Sequence, residues 1–391
     1  DTSFDLELLS YQTDTTRSVS DTKIYDTTIS ENTGLTAVYK ATDQCVIPEV
    51  IATDTTLSKD CSPYLVQENV TVESNATLTV EAGVEIWMPL AGNIIVKGRL
   101  NAIGTDDNRI VFKRNPDTET GSWGALLFQH TAEPSSLKYT RLEAASQGPD
   151  PVFDIAAISA FDADLVLDHL TIENVKFNPI TARYSDVTLT NSKLHSKVTG
   201  DCINVKYGKA RIENCQFLGN DEPDTDAIDY DGVEGGVIKN CLMSNFRGFN
   251  SDAIDIGEKS SDLVIDSIVV CNITDKGVSL GQRSTATIQN AAFINCNKGV
   301  AVKDSSNVTI NRSVFYNNTD AVACYEKNLG SAGGNAIVTN SILSNSSNKP
   351  LFVDAKSTLQ SAYCLTDFAT DTSYPLNLQG NPEFTNPTFF D

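Results

Sequence analysis

Residues 252–267, DAIDIGEKSSDLVIDS, read as one turn of a repeating structure, because the same text returns in phase on either side of them. Upstream lie DCINVKYGKARIENC at 201–215 and DAIDYDGVEGGVIKNC at 226–241. Downstream lie KGVSLGQRSTATIQNA at 276–291, KGVAVKDSSNVTINRS at 298–313 and DAVACYEKNLGSAGGNAIVTNS at 320–341. The alignment puts Asp201, Asp226, Asp252, Lys276, Lys298 and Asp320 in one column, with steps of 25, 26, 24, 22 and 22 residues. Each repeat alternates apolar and polar residues at period two and breaks at Gly, Asn or Asp, which is the chemistry of strands and turns. A period in the twenties, built from short strands without helical spacing, predicts a parallel β-helix in which each coil buries its apolar residues against the neighbouring coils. A leucine-rich repeat would need a Leu framework with Asn at fixed offsets, and these repeats lack it.

A second column runs through Asn191, Asn214, Asn240, Asp266, Asn290, Arg312 and Asn340, each followed by a small residue or Cys. Asn tolerates the left-handed backbone of a tight turn, and Asn side chains stacked about 4.8 Å apart can hydrogen-bond from coil to coil, so a structural ladder is expected here. Cys215 and Cys241 fall in the next column with Ser267, Ala291, Ser313 and Ser341, which predicts small inward packing groups rather than redox or catalytic thiols. Upstream, NVTVESNATLTVEAGVEIWMP at 69–89, NIIVKGRLNAIG at 93–104 and NRIVFKR at 108–114 alternate in the same way. Residues 1–44, rich in Thr, Asp and Ser, are expected to form a polar linker or loosely attached segment. Residues 45–391 then form one domain, with irregular first coils at about 62–130, regular coils at about 150–345 and a closing segment at about 346–391. The end of that segment, NLQGNPEFTNPTFFD at 377–391, is turn-rich and aromatic and is expected to cover an otherwise open strand edge.

The formal net charge of -22 and sequence pI of about 4.4 argue against nucleic acid, whose phosphates need clustered Lys and Arg, and favour cations, metal ions included. No run of about 18 apolar residues occurs, so no membrane span is expected. The chain starts at Asp1 as a processed product would, and carries seven glycosylation sequons, at Asn69, Asn75, Asn272, Asn307, Asn311, Asn317 and Asn345. Both features fit a secreted or cell-surface glycoprotein. Of the nine Cys, Cys45 and Cys61 flank a short polar loop and are either a disulfide, in an oxidising compartment, or two free thiols. His130, His169 and His195 are not spaced as zinc ligands.

The repeats resemble the pectate-lyase-like superfamily of right-handed β-helices. The strings NSDAIDIGE at 250–258, DKGVSLGQRS at 275–284, GVAVKDSS at 299–306 and ACYEKN at 323–328 are similar to a β-helix module found beside spore-coat-H-like kinase domains and lamin-tail-like domains in secreted proteins. The resemblance covers roughly residues 46–391. It implies an all-β fold, a right-handed parallel β-helix solenoid with an N-terminal polar segment, and it implies no particular activity.

Side chains alternate across a strand, so Ile203, Val205, Ile228, Tyr230, Ile254 and Ile256 are expected to point inward. The residues between them then form outward columns, Asn204, Asp229, Asp255, Ser279, Ala301, Ala323 and Lys206, Asp231, Gly257, Gly281, Lys303, Tyr325. Asp226, Asp229 and Asp231 share one rung, Asp252 and Asp255 the next, and Lys276 follows. Carboxylates stacked about 4.8 Å apart repel and raise one another's pKa unless something compensates. Calcium, a hard cation held by several carboxylate oxygens, is one answer, with Asp226, Asp229, Asp231, Asp252 and Asp255 as its ligands. A solvated acidic face is the other.

Two classes of function follow. The first is an extracellular rod that binds polysaccharide, surface glycans or partner proteins. The alternative is a calcium-dependent polysaccharide lyase acting on uronate polymers, in which a cation holds the uronate carboxylate and Lys276, Arg283 or Lys303 serves the proton transfer. A hydrolase of the polygalacturonase type is disfavoured, because Asp275-Lys276 stands where paired Asp would be expected. Trp87 and Trp123 are candidates for stacking on sugars, or for packing in the early coils.

Overall fold

The computed structural model describes residues 28–30, 36–38, 45–118, 120–195, 199–368 and 373–384. Within the N-terminal segment Thr28–Ser30 pairs antiparallel with Thr36–Val38. The rest of the polar segment lies outside the described residues. From Cys45 onward short strands pair in parallel, each with its counterpart in the next coil, and they build three faces. One coil shows the plan. Ile254–Gly257 lies on the first face and Leu263–Asp266 on the second; Val269–Leu280 crosses the third and runs on into the first face of the next coil. Among the described residues the second face counts 13 strands. Among the described residues the only helical element is the short turn Lys59–Cys61.

The repeat alignment is the register of the first face. Ile203 pairs with Ile228, Ile228 with Ile254, Ile254 with Val278, Val278 with Val300 and Val300 with Val322. Ile228, Tyr230, Ile254, Ile256, Val278 and Leu280 have no solvent exposure, so the expected inward set fills the solenoid. Each such side chain contributes about 1.5–3 kcal/mol through burial, and a contact repeated from coil to coil makes the stack hold together. Phe293 and Phe315 stack in the same interior with ring centroids 5.0 Å apart.

The Asn ladder forms, with one correction. Asn214 donates from Nδ2 to Asn191 Oδ1 and Asn240 to Asn214 Oδ1, both at 3.2 Å, and these residues have positive φ. In the next coil Ser267, at φ 57, holds the left-handed position, not Asp266, because Asp266 pairs with Gln289 and leaves Ser267 opposite Asn290. Cys241 therefore precedes Ile268 in its column rather than Ser267. Asp266 stays in the network by accepting from Asn290 Nδ2 at 2.7 Å. A second ladder, Asn245, Asn272, Asn295, Asn317 and Asn345, runs along the turn before the first face, each Nδ2 donating to the preceding Oδ1.

Cys45 and Cys61 are joined as a disulfide, with Cα atoms 5.9 Å apart. Trp123 is fully buried and donates from Nε1 to Glu143 O at 2.8 Å, so it is packing. Trp87 is half-buried, with Nε1 on Glu85. The stacks continue through the closing segment in Lys349–Val353, Thr358–Ala362, Leu365–Thr366 and Leu378–Gln379.

Candidate functional site

The acidic column sits at the corner where each coil enters the first face, and there it serves the backbone. Asp201 Oδ1 accepts the Asp226 N–H at 3.2 Å, Asp226 Oδ1 the Asp252 N–H at 2.6 Å, and Asp252 Oδ1 the Lys276 N–H at 2.8 Å. Asp320 repeats the contact with the Lys349 N–H at 3.2 Å. A backbone donor at a strand entrance needs a partner, and a carboxylate one coil below supplies it. The column is half-buried or buried rather than solvated: Asp252 and Lys276 are each 5% exposed. That corrects the expectation of an acidic face lying open to solvent.

Burial first, and then neighbouring carboxylates, push these acids up. Asp201 is raised to about 7 by burial, with Asp255, Asp231 and Asp224 adding to it. Asp226 and Asp229 stand well above the usual carboxylate range for the same reasons. Asp252 reaches about 6, where burial outweighs the pull of Lys276. Asp231 is raised too, burial exceeding the effect of its 3.0 Å contact with Lys206. Asp229 and Asp255, paired in register, face outward, and Asn204 donates from Nδ2 to Asp229.

The three cations expected to carry chemistry separate into two places. Lys276 bonds Asp275 and reaches Asp252 Oδ1 at 3.3 Å. Burial alone would lower its pKa, yet Asp252 and Asp275 hold it above the ordinary lysine value. Lys303, 4% exposed, lies over the same floor and donates to Ser279 Oγ at 2.6 Å, and its pKa is lowered by burial. Arg283 is apart from both, exposed on the turn between the first and second faces, where its N–H donates to Asp304 O at 3.0 Å.

Among the described residues no three His, Cys, Asp or Glu side chains converge so as to hold a metal ion. One oxygen of each of Asp226 and Asp252 accepts a backbone N–H group, Oδ1 in both.

The turn after the first face holds what the repeat alignment missed. His130, Asp162, Tyr184, Tyr207 and Glu258 all take positive φ there, which throws their side chains off the edge of the sheet. Phe161, the last residue of its strand, meets Tyr184 edge-on at 5.8 Å, and Tyr184 stacks on Tyr207 at 5.2 Å. Phe153 joins through Phe161 at 5.0 Å, with the Arg183 guanidinium 5.2 Å from its ring centroid. Tyr184 is 54% and Tyr207 41% exposed, so an aromatic row runs along the axis in contact with solvent. It continues into a cavity of about 490 Å³ lined by Tyr207, Glu258, Lys259, Gln282, Arg283 and Asn328, among others. Glu258 there is tied to Lys206 at 2.8 Å and to the Tyr207 hydroxyl.

Residues 201–364 match the family described as right handed beta helix region, so the segment that carries the repeats has this fold by sequence as well as by structure. From Cys45 onward the described residues build a parallel β-helix, and the matched family gives residues 201–364 the right hand. No curated protein matches the chain. Among solved structures it is similar to an alginate lyase from Paenibacillus sp. strain FPU-7, with 11% identity and a TM-score of 0.38 over 80% of this chain and 98% of that one. It is also similar to the catalytic domain of a GH87 alpha-1,3-glucanase in complex with tetrasaccharides, with 12% identity and a TM-score of 0.43 over 75% and 68%. A periplasmic alginate epimerase gives 10% identity and a TM-score of 0.34 over 78% and 77%. At these values no residue role passes from those proteins to this one.

Proposed function

We propose that this protein is a secreted or cell-surface rod that binds polysaccharide along the edge of its first face and does not cleave it. The observation that carries the reading is the row of exposed Phe153, half-buried Phe161 and exposed Tyr184 and Tyr207 leading into the cavity beside Glu258, Gln282, Arg283 and Asn328. Aromatic faces take the apolar C–H faces of sugars, and amide, carboxylate and guanidinium groups take their hydroxyls. A solenoid repeats both at the coil spacing, which suits a repeating ligand. The Cys45–Cys61 disulfide and the sequons support an oxidising, extracytoplasmic setting.

The lyase alternative asks for an unprotonated amine at working pH. The pairing of Lys276 with Asp252 and Asp275 favours its protonated form and speaks against it as the base. Lys303 has its pKa shifted in the useful direction but lies buried against Ser279. The test is affinity electrophoresis through gels containing pectin or alginate, with the same mixtures followed for the ultraviolet absorbance of unsaturated products. The wild type should be retarded without new absorbance. Tyr184→Ala with Tyr207→Ala should weaken binding about ten- to hundredfold, the worth of two stacking contacts, with unchanged melting. Binding that survives the double variant, or growing absorbance, overturns the proposal.

A further inference from the structure

The second face of the solenoid changes character at Thr285. Upstream, its outward positions carry Arg211, Glu213, Lys239 and Asp266. From Thr285–Gln289 through Asn307–Asn311, Asn335–Thr339 and Thr358–Ala362 no outward position is charged, in a chain with 29 basic and 51 acidic residues. This stretch is a shallow trough of about 530 Å³ running across the coils, with Asp262 at its rim.

Its two columns are built differently. The flanking one is internally bonded: Thr358 Oγ1 donates to Asn335 Oδ1 at 2.7 Å and Asn335 Nδ2 to Asn307 Oδ1 at 3.1 Å, which fixes those side chains. The central one, Val264, Thr287, Thr309, Ile337 and Gln360, is in register from coil to coil and exposed. It offers solvent two hydroxyls and an amide among methyl groups, at one position per coil of about 4.8 Å. A charged ligand would find no counter-charge on this floor, whereas hydroxyls and methyls in alternation match the hydroxyl edges and C–H faces of a neutral sugar chain. A second copy of the chain fits less well. Four coils by two columns give only about 200–300 Å², against about 800 Å² per partner in a stable interface.

We propose that this trough is a second glycan site, separate from the aromatic edge, and that its ligand is an uncharged polysaccharide lying parallel to the solenoid axis. The proposal does not rest on the edge reading. The sequon at Asn307 lies in the trough, so the protein for the test is produced without N-glycosylation. Affinity electrophoresis in gels containing laminarin or hydroxyethylcellulose should retard the wild type, with the same retardation in low and physiological salt, since no ion pair is formed. Thr287→Lys with Thr309→Lys, both at exposed positions, should weaken that retardation at least tenfold at unchanged melting temperature. Tyr184→Ala with Tyr207→Ala should leave a trough-bound fraction in the same gels. The proposal is overturned if neither neutral glucan retards the protein, or if the Lys variant binds as wild type does. If only the Tyr variant loses binding, the edge alone holds glycan and the trough is surface.

Discussion

Acidification should stabilise this protein, and the carboxylate column supplies both the sign and the size. Asp252 titrates at about 6 in the folded chain against 3.8 for the ordinary group. Between those values the folded state holds a proton that the unfolded state has released, so stability is full below the unfolded pKa and falls as pH rises through the folded one. For a side chain 5% exposed the shift converts to about 3 kcal/mol. Asp201, Asp226, Asp229 and Asp231 push in the same direction, each sharing its penalty with its neighbours. With an unfolding entropy of about 2.1 cal/mol/K per residue over about 340 residues, 3 kcal/mol is about 4 °C in melting temperature. Acids that the fold holds low, such as Asp168, where hydrogen bonds from Asn191 and Thr190 overcome burial, lose stability only below about pH 4 and leave the window clear. About half of that penalty falls between pH 5 and pH 8, so differential scanning calorimetry should show melting about 2 °C higher near pH 5 than near pH 8 from Asp252 alone, and more as its raised neighbours add to it. Asp229→Asn, which keeps the shape and removes one raised carboxylate, should melt higher than wild type near pH 8 and show a shallower pH slope. Melting that rises from pH 5 to pH 8, or an Asn variant that melts lower, would refute the buried, mutually repelling column.

Two further expectations test the architecture and the cation. Ile254→Asp places a charge in the fully buried interior and should cost several kcal/mol or prevent folding, read by denaturant titration; a soluble variant of unchanged stability would mean that the inward assignment is reversed. Calcium and sodium at matched ionic strength should change the melting temperature alike and little, because the column is largely buried, where salt screens weakly. A rise specific to calcium, reversed by chelator and lost in Asp229→Asn with Asp255→Asn, would restore the metal role.

What the sequence determined by itself was register. Period-two alternation and the column of Asp201, Asp226, Asp252, Lys276, Lys298 and Asp320 are local and repeated, so every coil testifies to the same pairing; Asp229 opposite Asp255 and Ile254 opposite Val278 could be read before any coordinates. The one slip, Asp266 for Ser267, came where a coil keeps its left-handed turn residue but not its Asn. Side-chain reach is not periodic, and there the tertiary structure decided. Whether an Asp meets solvent or the next coil's N–H depends on the corner geometry, and whether Lys303 faces solvent or Ser279 depends on which neighbour is small enough to let it lean. The aromatic edge had only a faint signal, Tyr184 and Tyr207 standing one coil apart outside the aligned strands. It is the positive φ at both, which no single-residue reading assigns to Tyr, that turns two unremarked side chains into one stacked, solvent-facing row.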